Sequence, residues 1–213
     1  FLQNLMGYPV VTVGLVLAPR GVGTMVAMAM VGRLVQRFDA RYLVGVGVAA
    51  MAFSLWQMSQ FTLDTSESML IWSGVIQGMG MGFVFVPLSV VTFYTLSPRL
   101  RTEGASIYSL VRNIGSSVGV SVVVSFLSRA QQENHAILVE HLTPFSNAIE
   151  QSARSFDPLD PSMLPMLQLE VSRQAGILSY VQDFRFMTIA TVCALPLLIL
   201  LKPAPKIVAV RPQ

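Results

Sequence analysis

The chain has 213 residues, 53% of them hydrophobic and only 12% charged, with a formal net charge of +3. Soluble domains carry roughly 25% charged residues, so this composition, with a mean hydropathy of +0.62, suits a lipid-facing surface better than a water-facing one. A single cysteine, Cys193, excludes a disulfide framework and a cysteine-based metal site.

The chain opens at Phe1, with neither an initiator Met nor the charged start of a signal peptide, and we expect it to be a piece of a longer protein. A bilayer core of about 30 Å needs about 20 apolar residues in a helix, and five stretches meet that need. Residues 1–6 read as the end of a preceding span, turning through Gly7, Tyr8 and Pro9. The first span covers about 10–34 and carries Arg20 between Pro19 and Gly21. The second covers 42–61 and the third 69–96, which is rich in Met, Phe and Gly. The fourth covers 104–127. A segment at 129–183 follows, and then a last span from 184 to about 201 with a short tail. The expected fold is an all-α membrane bundle.

The connecting loops alternate in charge. Arg33, Arg37 and Arg41 follow the first span, and Arg99 and Arg101 follow the third. Lys202, Lys206 and Arg211 follow the last. Acids dominate the other side: Asp64 and Glu67 at 62–68, and seven acids against three arginines in 129–183. The positive-inside bias then puts 33–41, 97–103 and the C-terminus in the cytoplasm, and 62–68 and 129–183 outside.

Helices in lipid associate through close approach at small residues. Gly74, Gly78 and Gly82 form one stripe on the third span, Gly115 and Gly119 another on the fourth, and Gly45 with Ala49 a third. "QGMGMGF" is not a dinucleotide loop, because its spacing is wrong, no strand precedes it and it lies within a hydrophobic span. In the outer segment, Leu138, Leu142, Phe145 and Ile149 recur at helical spacing up to a break near Pro144, and a second helical run starts near Leu164. This segment is either a pair of helices on the outer membrane face or a docking surface for a periplasmic partner. His135 and His141 do not share a helical face, so no zinc site is expected there.

Arg20 lies about ten residues from the outer end of its span, about 15 Å deep at 1.5 Å per residue. A guanidinium keeps its proton, so it should face protein or a watery cavity. It is either a structural arginine on the carbonyls freed by Pro19 or a cavity cation, with Gly21 as a bending point. Arg112 and Asn113 sit two turns into the fourth span, where structure and gating weigh equally. Trp72, Gln77, Met81 and Phe85 give the third span a polarisable face that is either ordinary packing or a cavity wall for bulky apolar solutes. No catalytic constellation, P-loop or nucleic-acid feature is present, so neither an enzyme nor a cofactor is expected.

Taken together, "LQNLMGYPVVTVGLVLAPRGVG", "GRLVQRF", "GMGMGFVFVPLS", "SLVRNIGSSVG" and "SYVQDFRFMTIA" resemble the C-terminal part of the EmrB/QacA-type drug:proton antiporters, fourteen-span members of the major facilitator superfamily. Gly32, Arg33, Arg37 and Asp39 are similar to the superfamily's cytoplasmic loop motif, although Gln36 stands where an acid is usual and Asp39 where a glycine is usual. The resemblance implies a partial major facilitator bundle: the last five spans, with nine more upstream. It also implies alternating access around a midplane site, powered by the proton gradient, with the third span lining the cavity. Arg20 and Arg112 would lie on helices bordering the other bundle, with Gly115 and Gly119 for packing, and the second and fifth spans would lie towards lipid. The implied partners are a small amphipathic substrate, the bilayer of a bacterial inner membrane, the missing N-terminal half, and a periplasmic adaptor with an outer-membrane channel. A narrow metabolite facilitator and a non-transporting membrane scaffold remain the alternatives.

Overall fold

The computed structural model describes residues 1–94, 96–141 and 164–200. Five long helices occupy these: α1 Val10–Leu34, α2 Ala40–Met58, α3 Glu67–Tyr94, α4 Arg101–His141 and α5 Leu164–Ala194. Two short 3₁₀ turns, Pro98–Leu100 and Leu195–Leu200, flank α4 and follow α5. Among the described residues, four helices are long and apolar enough to cross a membrane: α1, α3, α4 and a segment from Gln168 in α5 to Leu198. The 19-residue α2, with Arg41 and Gln57 near its ends, is the expected second span and falls outside that group.

Two boundaries differ from the sequence expectation. The expected fourth span ends at 127, yet α4 runs unbroken to His141. From Arg129 to Glu140 the chain holds good helix formers (Ala, Gln, Glu, Leu) and neither Gly nor Pro, so nothing stops propagation. At about 60 Å, α4 is twice the thickness of a hydrocarbon core. Likewise, the run beginning at Leu164 and the last span from 184 are one helix, since no Gly or Pro except Gly176 interrupts it between Pro165 and Pro196. The expected helix around Leu142, Phe145 and Ile149 and the basic tail after 201 lie outside the described residues.

Packing follows the small residues. Helix α3 lies between α1 and α2, α2 also packs on α5, and α5 on α4. The G-x-G-x-G run at 78–82 explains the first of these arrangements. Residues four apart share a helical face, and residues two apart point to opposite ones. Gly78 and Gly82 therefore meet α1: a β-carbon at Gly78 would strike the Arg20 carbonyl, and one at Gly82 would lie 2.7 Å from the Ala27 β-carbon. Gly80 faces α2, where a β-carbon would lie 2.7 Å from the Gly47 carbonyl oxygen. On that same interface the buried Ser54 hydroxyl donates to the Ser73 carbonyl at 2.7 Å.

A polar clasp joins α4 to α5 just beyond the expected membrane edge. The Asn134 amide donates to Ser179 Oγ at 3.0 Å and to Gln182 Oε1 at 3.2 Å, and the Ser179 hydroxyl donates in turn to the Ala175 carbonyl at 2.6 Å. Asn134 and Ser179 are both buried. Replacing Asn134 with Leu leaves buried acceptors unpaired, at a cost of about 1–3 kcal/mol. In the full-length protein this should appear as faster amide exchange across residues 127–141 than in the parent.

Candidate functional site

A cavity of about 460 Å³ opens where α1, α3, the end of α2 and α5 meet beneath the N-terminal segment. Two helices build its walls with the same spacing. Helix α1 contributes Val13, Val16, Leu17 and Arg20, and α3 contributes Leu70, Ser73, Gly74 and Gln77. Each set is an i, i+3, i+4, i+7 stripe, one face of a helix. Since α1 and α3 are packed in parallel register through Gly78, the two stripes lie side by side. Both end in a polar residue, so Arg20 and Gln77 mark the deep end of the cavity.

The other walls are apolar and aromatic. Leu55 and Met58 come from the end of α2 and Phe61 from the loop after it, Phe184 and Met187 from α5, and Phe1 and Leu2 from the leading segment, whose Gln3 and Asn4 supply the outer polar edge. Phe61, 5% exposed, joins Val16 and Leu70 in a buried core. Its ring lies 6.3 Å from that of Phe1 and 6.4 Å, edge-on, from that of Phe184. The leading segment is tied down from α5: Arg173 Nε donates to the Leu5 carbonyl at 2.8 Å, and the Leu5 side chain sits against Gly176. Gly7, at φ 69°, provides the turn into α1 that this path requires.

Arg20 is exposed, with its β-carbon region against Gly74. Its carbonyl accepts a 3.0 Å bond from the Thr24 hydroxyl. Among the described residues, neither its guanidinium nor the Gln77 amide has a protein partner, so the structure does not show Arg20 tied to carbonyls freed by Pro19.

Other expected site residues are placed elsewhere. Trp72 is 64% exposed and Met81 41% exposed, both outside the cavity. Phe85 also lies outside it and instead carries the Arg112 guanidinium 4.5 Å above its ring, a cation–π contact tying α4 to α3. Pro19 borders a separate shallow apolar groove with Val22, Gly23, Val75 and Met79. The Asn113 carbonyl accepts from Ser116. Gly21, Gly115 and Gly119 face open space, where an added β-carbon would meet no atom within 4 Å. No residue of α4 from 101 to 127 is buried. Gly32 and Arg33 are exposed on the last turn of α1 and Arg37 on the connection after it, and Asp39 precedes α2 with no side-chain capping bond.

The resemblance implies that the second and fifth spans lie towards lipid; in the structure their outer ends wall the cavity through Leu55, Met58, Phe61, Phe184 and Met187. These residues are ordinary apolar ones with no local signal to single them out. The usable signal was the matching stripes on α1 and α3, each ending in a polar group.

Long apolar helices packed through glycines around an internal cavity define a polytopic membrane bundle. Residues 1–130 match the family model of the Major Facilitator Superfamily, and the chain belongs to that superfamily as an EmrB-type member. It is similar to the fatty acid resistance protein FarB of Neisseria gonorrhoeae, at 26% identity over 205 residues, covering 95% of this chain and 40% of that one. It is 27% identical over 146 residues to the multidrug export protein EmrB of Escherichia coli K12, covering 68% of this chain and 28% of that one. The probable multidrug resistance protein EmrY of the same strain matches at 25% over 206 residues, covering 95% and 40% respectively. The chain spans about two-fifths or less of the length of these relatives. It is an integral membrane protein of a transporter family, not an enzyme family.

Proposed function

We propose that the chain is the C-terminal part of a proton-coupled exporter that removes amphipathic drugs or toxic compounds by alternating access from a bacterial cytoplasmic membrane. The observation that carries this reading is the cavity itself: apolar and aromatic walls ending at mid-depth in Arg20 and Gln77. Cavities of roughly 300–1,000 Å³ with apolar walls and a few converging polar groups are the usual form of small-molecule sites. The names of the relatives, which speak of drug export and fatty acid resistance, fit solutes of that kind. The resemblance implies that the proton-carrying acids lie in the upstream half; among the described residues, no acid lines this cavity. The helical extension of α4 and α5 beyond the bilayer offers a surface for a periplasmic adaptor leading to an outer-membrane channel.

Replacing Arg20 with Ala or Lys in the full-length protein tests the cavity's role. At equal expression, Arg20→Ala should lower both drug export and the accompanying proton movement by about tenfold or more, equivalent to about 1.4 kcal/mol of lost stabilisation. Arg20→Lys should recover part of the loss, as a point charge replaces a planar fork. Normal transport by both variants would rule out the cavity as the working site.

A further inference from the structure

We infer that Arg173, on the outer extension of α5, is a positioning residue for the cavity: it fixes the leading segment that closes the cavity's outer end, and releasing this contact opens the mouth. The segment covers the buried core beneath that end. Phe1, Leu2, Met6 and Tyr8 pack against Val16, Phe61 and Leu70, and Phe1, Leu2, Gln3 and Asn4 line the cavity itself. Among the described residues, the backbone bonds of the segment are internal turns. Leu5 and Met6 donate to the Phe1 carbonyl at 3.0 and 3.4 Å, and Tyr8 donates to that of Leu2 at 3.1 Å. These turns give the segment its shape but tie it to no other element.

What ties it is one face of α5. Arg173, Gly176, Tyr180, Phe184 and Met187 recur at spacings of three and four residues, a single helical stripe. The inner two wall the cavity, and the outer three grip the segment. The Tyr180 ring stands edge-on to that of Phe1, with centroids 5.6 Å apart. The Leu5 side chain fills the space left by Gly176, where an added β-carbon would lie 2.8 Å from its Cδ2. Arg173 Nε donates to the Leu5 carbonyl at 2.8 Å. Another face of α5 is held to α4, through Asn134 bonded to Ser179 and Gln182. Helix α5 is therefore braced from one side while it holds the segment on the other. The ring and leucine contacts are non-directional, so they let the segment slide. A hydrogen bond from a charged planar donor fixes both distance and direction. Arg173 thus sets where the segment lies over the cavity without lining the cavity itself.

The experiment uses the full-length protein in right-side-out membrane vesicles, with its native cysteines replaced by alanine and no solute added. One cysteine is introduced at a time. Val16→Cys lies under the segment at a residue that is 5% exposed, and Ser54→Cys lies buried between α2 and α3, outside the cavity lining. The rate of modification by a sulfonated, membrane-impermeant maleimide added outside reports the population in which each cysteine is uncovered. Arg173→Ala should speed modification of Val16→Cys by about fivefold or more, the scale set by loss of one hydrogen bond to a charged group. Ser54→Cys should be unaffected. Arg173→Lys should return the Val16→Cys rate most of the way to the parent's, because an ammonium can still donate to the Leu5 carbonyl. Equal Val16→Cys rates with Arg173 and with Arg173→Ala would overturn the inference. So would a rise that Arg173→Lys does not reverse, or an equal rise at Ser54→Cys, which would mean a general loosening of the bundle. Because no transport is measured, failure here leaves the export reading standing, and failure of the export reading leaves this result standing.

Discussion

Gly78→Ala in the full-length protein should destabilise it by about 1–3 kcal/mol, the usual cost of overpacking a tight contact, whereas Gly14→Ala should be neutral or slightly stabilising. Both residues are helical glycines in the interior of a long apolar helix, so helix propensity favours alanine equally at both positions, by about 1 kcal/mol. What separates them is space. A β-carbon at Gly78 strikes the carbonyl of Arg20, which belongs to the backbone of α1 and cannot rotate aside as a side chain would. One at Gly14 would meet no atom within 4 Å. Relief at Gly78 requires α1 and α3 to part, and their separation would take the Arg20 and Gln77 stripes out of register. The loss should therefore show twice, as a lower melting midpoint in detergent and as weaker solute binding. Equal midpoints for the two variants would mean that α1 and α3 do not meet where the structure places them.

Phe61→Ala should be the most damaging truncation in the cavity wall. Phe61 is 5% exposed, packs with Val16 and Leu70, and holds the rings of Phe1 and Phe184 around it. Removing a buried aromatic ring costs about 3–5 kcal/mol in water-soluble proteins. In a bilayer the lost packing contacts, rather than hydration, carry most of the penalty, so a value near 3 kcal/mol is expected. The same change would open the outer end of the cavity, because Phe61 and Phe1 together form that side. Phe61→Leu should recover much of the stability but not the ring contacts. A thermal melt of the full-length protein, paired with a drug-binding titration, checks both effects; an unchanged melt for Phe61→Ala would contradict the packing described.

Four of the five expected spans were legible in the sequence because lipid imposes a simple rule: a run of about 20 apolar residues has few other uses. Arg20 stood out for the same reason, being a permanent charge where charges are rare. The stripe of Gly74, Gly78 and Gly82 could be read as a packing face, although Gly80 on the opposite face gained meaning only once α2 was seen against it. The ends of the helices were harder to read. The change at Arg129 from apolar to polar marks the edge of the membrane, but hydrogen bonding along a helix is indifferent to that edge, so α4 continues to His141. The cavity walls were hardest, since Leu55, Phe61 and Phe184 are brought together by tertiary contacts from separate segments. Trp72 and Met81 showed the converse. Their chemistry suited a cavity, but Trp72 projects from a different face of α3 than Gln77, and Met81, one turn beyond Gln77 on the same face, lies past the deep end of the cavity. The stripe of Gly115 and Gly119 likewise has no partner within the described residues.

In the function proposed above, this bundle belongs to an exporter driven by protons. The most direct measurement places the purified full-length protein in liposomes without nucleotide and imposes a proton gradient across the membrane. Uptake of a fluorescent amphipathic drug into the proton-rich interior, abolished when a protonophore collapses the gradient and weakened in Arg20→Ala, is the predicted result. Drug movement that is indifferent to the gradient, or that requires ATP, would contradict it.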